Sequence, residues 1–191
     1  MTGAREIIDL TLSREPTLGA GRVVAVDGPS GSGKSTLVRA VSAQAAARGI
    51  SHRVLPLDLL YAGWSGLAGI GATLDALLRP LATGAAGHAP TWDWDADRPG
   101  GNLVLEPVDL LVLDGVGAGH RATADLLTVL VWLDGDTHTN LGRALARDVD
   151  LHESAGADPA AYRARLEQWQ DAEAAQFAVD ATRERADIAL G

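Results

Sequence analysis

The chain of 191 residues contains no cysteine, which excludes disulfide bonds, thiolate metal sites and a cysteine nucleophile. Positive charge is also scarce, because 16 lysines and arginines stand against 25 aspartates and glutamates, giving a formal net charge of −9. Binding along a nucleic-acid backbone needs a basic surface, so we expect no nucleic-acid partner. The sequence shows no signal peptide and no apolar run of membrane-spanning length. We therefore expect a cytoplasmic protein without a membrane partner.

Length and composition predict one globular domain over residues 1–191, since 47% of the residues are hydrophobic and 21% are charged. Alternating apolar runs and amphipathic stretches predict strands that alternate with helices, and hence a parallel sheet covered on both faces. The predicted strands are 22–27, 52–57, 110–113, 129–133 and 186–190. The predicted helices are 4–12, 34–48, 67–81, 136–147 and 159–183, and a short helix is expected at 123–127.

Two segments between these elements are unusual. The second strand, residues 52–57, is apolar enough to predict a position covered on both faces. Residues 84–102 are rich in glycine, proline and aspartate and read as a long loop, with residues 103–106 as a short hairpin strand. Long loops in compact domains usually have a function, so we expect this segment to be near a substrate.

A glycine-rich segment lies between the first strand and the following helix. It fits the phosphate-binding pattern G-x-x-x-x-G-K-[ST] in the strand–loop–helix context that the pattern requires. Glycines let such a loop curl so that backbone N–H groups approach phosphate oxygens, and the helix start adds further N–H groups. The residues expected to bind a nucleotide are Gly28, Ser30, Gly31, Ser32, Gly33, Lys34, Ser35 and Thr36.

Within this loop, Lys34 is expected to reach the β- and γ-phosphates, and the Ser35 hydroxyl is expected to bind Mg²⁺. Asp114 ends an apolar strand, as does a carboxylate that holds Mg²⁺ opposite such a loop. Asp134 ends a similar strand, so both aspartates are candidates for the metal. Asp27 adjoins the loop and either serves it directly or only braces it.

Asp58 follows the second predicted strand, and open parallel sheets bind their ligands at strand ends. A carboxylate there could accept the proton of an attacking hydroxyl group; the alternative is an aspartate that caps a turn. Arg143 and Arg147 are four residues apart on one predicted helix face, within a predicted lid of about residues 136–160. They would clamp a transferring phosphoryl group or form a solvated basic face.

Glu173 interrupts the apolar stripe of the last long helix, between Trp169 and Phe177. A carboxylate at such a position costs energy unless it is paired or faces a wet cleft, so it could contact a lid arginine or the substrate. The alternative is a position at the edge of the stripe, from which the carboxylate reaches water. Trp64, Trp92 and Trp94 lie between strands, where they could stack on a planar or sugar-like ligand or fill the core. The five histidines show no metal-ligand spacing, so no zinc site is expected.

Taken together, these segments resemble the P-loop nucleoside kinases, in particular the uridine kinase-like group, over roughly residues 19–190. Residues 26–36 are similar to the nucleotide loop of that family, and Asp58-Leu59-Leu60-Tyr61 resembles its D-x-F-Y element. Pro90-Thr91-Trp92-Asp93-Trp94 resembles its substrate hairpin, P-x-Y-D-F. Here no histidine follows the hairpin motif, and Asp114-Gly115 replaces the Glu-Gly of the family.

The resemblance implies a three-layer α/β P-loop kinase fold, with a five-stranded parallel sheet, helices on both faces, a helical lid and a substrate-side insertion over about 61–106. It implies ATP and Mg²⁺ as cofactors, Lys34, Asp58, Arg143 and Arg147 as catalytic residues, and a small hydroxylated acceptor, with a nucleoside as the best candidate. The implied acceptor-binding residues are Asp58, Tyr61, Trp64, Trp92, Asp93, Trp94 and Glu173. A kinase for another sugar or alcohol and a catalytically silent ATP-binding regulator are the alternatives.

Overall fold

The computed structural model describes residues 2–135, Gly142 and residues 159–191. The predicted helix 136–147, with Arg143 and Arg147, and most of the predicted lid lie outside the described residues. The helices are α1 (Thr2–Ser13), α2 (Lys34–Ala47), α3 (Ile70–Ala82) and α4 (Pro159–Asp180), followed by one helical turn at Thr182–Arg185. The strands are β1 (Arg22–Asp27), β2 (His52–Pro56), β3 (Gly87–Asp93), β4 (Arg98–Leu105), β5 (Leu110–Asp114), β6 (Val129–Leu133) and β7 (Ile188–Leu190).

Five strands form a parallel sheet in the order β2-β5-β1-β6-β7, which confirms the predicted α/β architecture. Side chains of successive strand residues point to opposite faces, so an apolar strand covered on both sides feeds two cores. In β1, Val23 and Ala25 pack into the core shared with α3 and α4, whereas Val24 and Val26 pack into the core shared with α1 and α2. The sheet is therefore the middle of three layers.

The order of strands places β1 at the centre of the sheet, between β5 and β6. Because all five strands are parallel, their carboxyl ends share one edge of the sheet. The loops that follow β1, β2 and β5 therefore meet along that edge. They bring together Asp27, Asp58 and Asp114, which are far apart in the sequence.

Three predicted segments differ from the structure. The strand β2 ends at Pro56 and is an edge strand with partly exposed residues, so the predicted double coverage is wrong. Residues 84–102 are mostly a hairpin rather than a loop, because β3 and β4 pair over most of this segment. The long helix α4 ends at Asp180, where Ala181 adopts a φ of 48°, a left-handed conformation that interrupts the helix before position 183.

Candidate functional site

The phosphate loop, residues 28–33, runs from the end of β1 to the start of α2 at the sheet edge. Gly28 has a φ of 140°, and a Cβ atom there would lie 2.3 Å from the Leu133 carbonyl oxygen, so only glycine fits. Gly33 caps α2 with a φ of 100° and has no side chain to bond the first helical turn. The start of α2 therefore presents the polarity that favours an anion.

Lys34 lies at the centre of this site and is the only lysine in the chain. Its side chain is buried, and Nζ donates hydrogen bonds to the carbonyl oxygens of Gly28 and Pro29 at 2.7 and 2.8 Å. Burial lowers the pKa of the Lys34 ammonium, while nearby carboxylates oppose that shift; these are, in order of effect, Glu173, Asp27, Asp114 and Asp58. One cation thus faces four carboxylates drawn from four elements of the fold.

Burial raises the pKa of the Asp114 carboxyl, and the neighbouring Ser35 hydroxyl and the charge of Lys34 oppose that shift. Ser35 and Asp114 therefore lie close to each other at the start of α2. A hydroxyl group and a carboxylate are the oxygen donors that Mg²⁺ prefers, so this pair fits the implied metal. The rival Asp134 is engaged elsewhere: its oxygens accept from Arg183 at 2.8 and 3.0 Å and from Trp132 Nε1 at 2.7 Å.

A second observation fits a phosphate group in the loop. The Ser32 hydroxyl is buried and has no hydrogen-bond partner among the described residues. Buried polar groups normally have a partner, and an unpaired one within a phosphate-binding pattern suits a phosphate oxygen. Thr36, in contrast, is exposed, and its hydroxyl accepts from Arg39 Nη2 at 3.1 Å.

Asp27 is fully buried and joins two loops. Its Oδ1 accepts from the backbone N–H groups of Gly28 at 2.8 Å and Gly117 at 3.0 Å, and its Oδ2 accepts from Gly119 N–H at 2.8 Å. Burial raises the pKa of Asp27 to about 6, against the opposing effects of these three bonds and of Lys34. Its oxygens are used by the protein itself, so in this structure Asp27 braces the phosphate loop.

Asp58 lies in a 3₁₀ turn, Leu57–Leu59, directly after β2, and its side chain is exposed. The hairpin approaches this turn, since Trp94 Nε1 donates to the Asp58 carbonyl oxygen at 2.7 Å. Asp58 is close enough to Lys34 to raise the pKa of the ammonium. The structure therefore brings the predicted proton acceptor, the β3–β4 hairpin and the phosphate loop to one edge of the sheet.

Four aromatic residues form one connected group near Asp58, with Trp64 in the middle. The Trp64 ring makes edge-to-face contacts with Trp94, Tyr162 and Trp169, at centroid distances of 5.7, 5.7 and 6.2 Å. Trp64 is partly buried and Trp94 is exposed, so both present some ring surface to solvent. Stacking surface for a flat ligand therefore exists here, although the rings also pack on one another.

Three residues expected to bind the acceptor have other contacts. Tyr61 is 1% exposed, and its hydroxyl donates to the Val116 carbonyl oxygen at 2.8 Å, so it is a core residue with no surface for a substrate. Asp93 Oδ1 accepts from Ala96 N–H at 3.0 Å and closes the hairpin turn. Trp92 packs against Gly63, and its Nε1 is buried without a partner among the described residues.

Glu173, which was expected to face the substrate or a lid arginine, lies against the phosphate loop. Its carboxylate accepts from the Ser30 backbone N–H at 3.1 and 3.2 Å, from the Ser30 hydroxyl and from Trp169 Nε1. Burial raises the pKa of Glu173, and the bonds to Ser30 and the charge of Lys34 oppose this shift. The break in the apolar stripe marked this residue in the sequence, but no sequence pattern identified Ser30 as its partner.

Comparisons with known proteins show the same fold. A proposed uridine kinase from Bacillus stearothermophilus superposes with a TM-score of 0.63 at 17% identity, over 100% of this chain and 98% of that one. A proposed fructose transport system kinase from Silicibacter sp. TM1040 superposes with a TM-score of 0.65 at 22% identity, over 98% of both chains. D-glycerate 3-kinase from Cryptococcus neoformans var. grubii superposes with a TM-score of 0.56 at 12% identity, over 88% of this chain and 85% of that one.

The predicted resemblance to uridine kinase-like P-loop kinases is thus confirmed at the level of the fold. Identities of 12–22% leave the acceptor undecided, and the names of the three similar proteins refer to uridine, to fructose transport and to D-glycerate. In sequence comparisons, no protein-family description and no curated protein matches this chain. Among the described residues, no helix is both long and apolar enough to cross a membrane.

Proposed function

We propose that this protein is an ATP-dependent kinase that transfers the γ-phosphate to a hydroxyl group of a small molecule, with a nucleoside as the leading candidate. The arrangement around Lys34 carries the proposal, because the phosphate loop, the Ser35–Asp114 pair and Asp58 meet at one sheet edge. Phosphoryl transfer requires these parts: a cradle for phosphates, oxygen ligands for Mg²⁺ and a carboxylate for the attacking hydroxyl group.

Each of these residues would have a separate role in the reaction. Lys34 leaves the carbonyl oxygens of Gly28 and Pro29 and binds the β- and γ-phosphates, whose charge offsets the cost of its burial. Asp58 orients the acceptor hydroxyl and takes its proton as the oxygen attacks the γ-phosphorus and the bond to the β-phosphate oxygen breaks. Mg²⁺ held by Ser35 and Asp114 would neutralise charge on the phosphate oxygens.

Arg143 and Arg147 complete the proposal as lid arginines, on the basis of the sequence alone. The acceptor would bind between Asp58 and the rings of Trp64 and Trp94, which favours a molecule with both a hydroxyl group and a flat or sugar-like face. Nucleosides have these features. The hairpin lacks the histidine of nucleoside-reading relatives, so sugars and other alcohols belong in the same test.

The test is transfer of labelled γ-phosphate from ATP to a panel of nucleosides, sugars and glycerate, with Mg²⁺ present. We expect one class of acceptor to be phosphorylated and the Asp58→Asn variant to transfer phosphate to it roughly 10²–10⁴-fold more slowly. A protein that binds ATP but phosphorylates no member of a broad panel would instead support the silent ATP-binding regulator. A protein that binds no nucleotide would overturn the proposal.

A further inference from the structure

Glu173 makes a contact that a nucleotide would be expected to make. Its carboxylate accepts the backbone N–H of Ser30, the third residue of the phosphate loop, together with the Ser30 hydroxyl. Backbone N–H groups of such loops are the donors that hold phosphate oxygens. In this structure a negatively charged protein group thus occupies one donor of the loop.

Glu173 also lies near Lys34, the residue of the motif that reaches the β- and γ-phosphates. In this structure Lys34 Nζ bonds the carbonyl oxygens of Gly28 and Pro29, which directly precede Ser30. Among the surrounding carboxylates, Glu173 has the largest effect on the Lys34 ammonium. Since the lysine of this motif reaches the β- and γ-phosphates, Glu173 lies at the end of the loop that serves the terminal phosphate.

Within the described residues, hydrogen bonds rather than an ion pair hold the buried Glu173 carboxylate. Glu173 is 2% exposed, and no arginine or lysine in the described ranges 2–135 and 159–191 pairs with it within 4.0 Å. A buried carboxylate without an ion pair is unfavourable unless hydrogen bonds replace its water. Three such donors are present: the Ser30 N–H, the Ser30 hydroxyl and Trp169 Nε1, which also donates to Ser30 Oγ at 3.2 Å.

The geometry points to Glu173 as a specificity-determining residue that competes with the terminal phosphate of the nucleotide for Ser30. This inference rests on the proposed function, because it assumes that the phosphate loop binds a nucleotide. A nucleoside diphosphate fills the β-position and leaves the contact between Glu173 and Ser30 in place. A nucleoside triphosphate brings a further negative charge to the Ser30 end, and Glu173 must release Ser30 to admit it.

The consequence is a selective penalty on the triphosphate. Like charges at short range repel strongly where water is excluded, so the penalty falls on ATP far more than on ADP. The enzyme then binds its product nearly as well as its substrate until the acceptor and the metal are in place. Replacing Glu173 with glutamine removes the charge and retains the size and a hydrogen-bond acceptor for Ser30.

The experiment compares dissociation constants for Mg·ATP and Mg·ADP by calorimetry in the wild type, Glu173→Gln and Glu173→Asp. We expect Glu173→Gln to bind ATP about tenfold more tightly and ADP within about twofold of the wild type. Glu173→Asp retains the charge and should keep a ratio of ATP to ADP affinity closer to the wild type. Glu167→Gln, on an exposed face of the same helix, is the matched control for net charge and should change neither constant.

The alternatives give different results. Weaker binding of both nucleotides by Glu173→Gln would show that Glu173 only braces the loop, and an unchanged ratio of ATP to ADP affinity would also overturn the inference. A change confined to the KM of the acceptor would place Glu173 on the acceptor side instead. If the wild type bound neither nucleotide, the proposed function itself would fail, and this result differs from all the others.

Discussion

The carboxylate of Asp27 accepts the backbone N–H of Gly119, 92 residues further along the chain, at 2.8 Å. With its bonds to Gly28 and Gly117, it ties the start of the phosphate loop to the segment that follows β5. That segment begins beside Asp114, the proposed metal ligand. One buried side chain therefore adds a link between the two halves of the proposed nucleotide site, beside the pairing of β1 with β5.

The first prediction concerns the stability of this link. In Asp27→Asn, the amide oxygen can keep the bonds to Gly28 and Gly117, but the amide NH₂ then faces the N–H of Gly119 without an acceptor. A buried donor left unpaired costs about 1–3 kcal/mol, and we expect a loss of that size in the free energy of unfolding. Urea denaturation measures it, and Asp95→Asn at the exposed hairpin turn is the control.

The stability difference between the wild type and Asp27→Asn should also depend on pH. The pKa of Asp27 rises from 3.8 to about 6 on folding, so the native state holds a proton that the unfolded chain releases. The contribution of this group to stability is complete below about pH 4 and declines as the pH rises through about 6. The gap in stability between wild type and Asp27→Asn should narrow over that range. A gap that widens would mean that the three N–H bonds keep Asp27 ionised at acid pH.

The second prediction concerns Lys34. Its ammonium bonds loop carbonyl oxygens rather than core side chains, so Lys34→Ala should change the melting temperature by only about 5 °C. Transfer should fall by about 10²–10³, because a preorganised cation at the phosphates is lost. Thermal melting and the labelled-phosphate assay measure the two effects. A stable variant with full turnover would contradict the proposed nucleotide site.

The chain offers an internal check on Lys34, because it is the only lysine. An amine-reactive acetylating reagent can then label just this side chain and the N-terminal amine. We expect Mg·ATP to protect Lys34 and to leave the labelling of the N-terminus unchanged, as measured by peptide mass spectrometry. Equal labelling with and without nucleotide would place the phosphates elsewhere.

The third prediction separates the two interpretations of Asp58. Asp58→Asn retains the size of the side chain and the carbonyl oxygen that Trp94 binds, but it cannot accept a proton. If Asp58 is the base, transfer should fall by roughly 10²–10⁴ while ATP affinity and melting temperature stay near the wild type. Asparagine caps a turn about as well as aspartate, so a turn-capping role predicts normal transfer. One sample, measured for all three properties, decides between them.

The fourth prediction uses Asp114 and Asp134 as a matched pair, since both end apolar strands of the central sheet. Asp114→Asn should raise the Mg²⁺ concentration needed for half-maximal turnover by about tenfold or more, because a charged oxygen ligand becomes neutral. Asp134→Asn loses its exposed, solvent-screened ion pair with Arg183 and should leave the Mg²⁺ requirement unchanged. The reverse outcome would assign the metal to Asp134.

The local sequence determined the phosphate loop and the strands around it. A motif of fixed spacing with glycines at positions of positive φ can form only a few loop conformations, and apolar strands covered on both faces identify a parallel sheet. The fold of P-loop kinases was therefore predictable from residues 22–48 and from the alternation of strands and helices in the rest of the chain. The hairpin β3–β4 was largely missed, because its glycines, prolines and aspartates are equally typical of a loop.

Tertiary structure decided the partners of the charged and aromatic side chains. Sequence alone left Asp114 and Asp134 equivalent, and the ion pair of Asp134 with Arg183 distinguishes them. It marked Glu173 as anomalous, but the contact with Ser30 arises only when α4 packs across the phosphate loop, 143 residues away in the chain. Local patterns depend on neighbours in sequence, whereas the environment of a buried charge depends on which distant elements the core brings together.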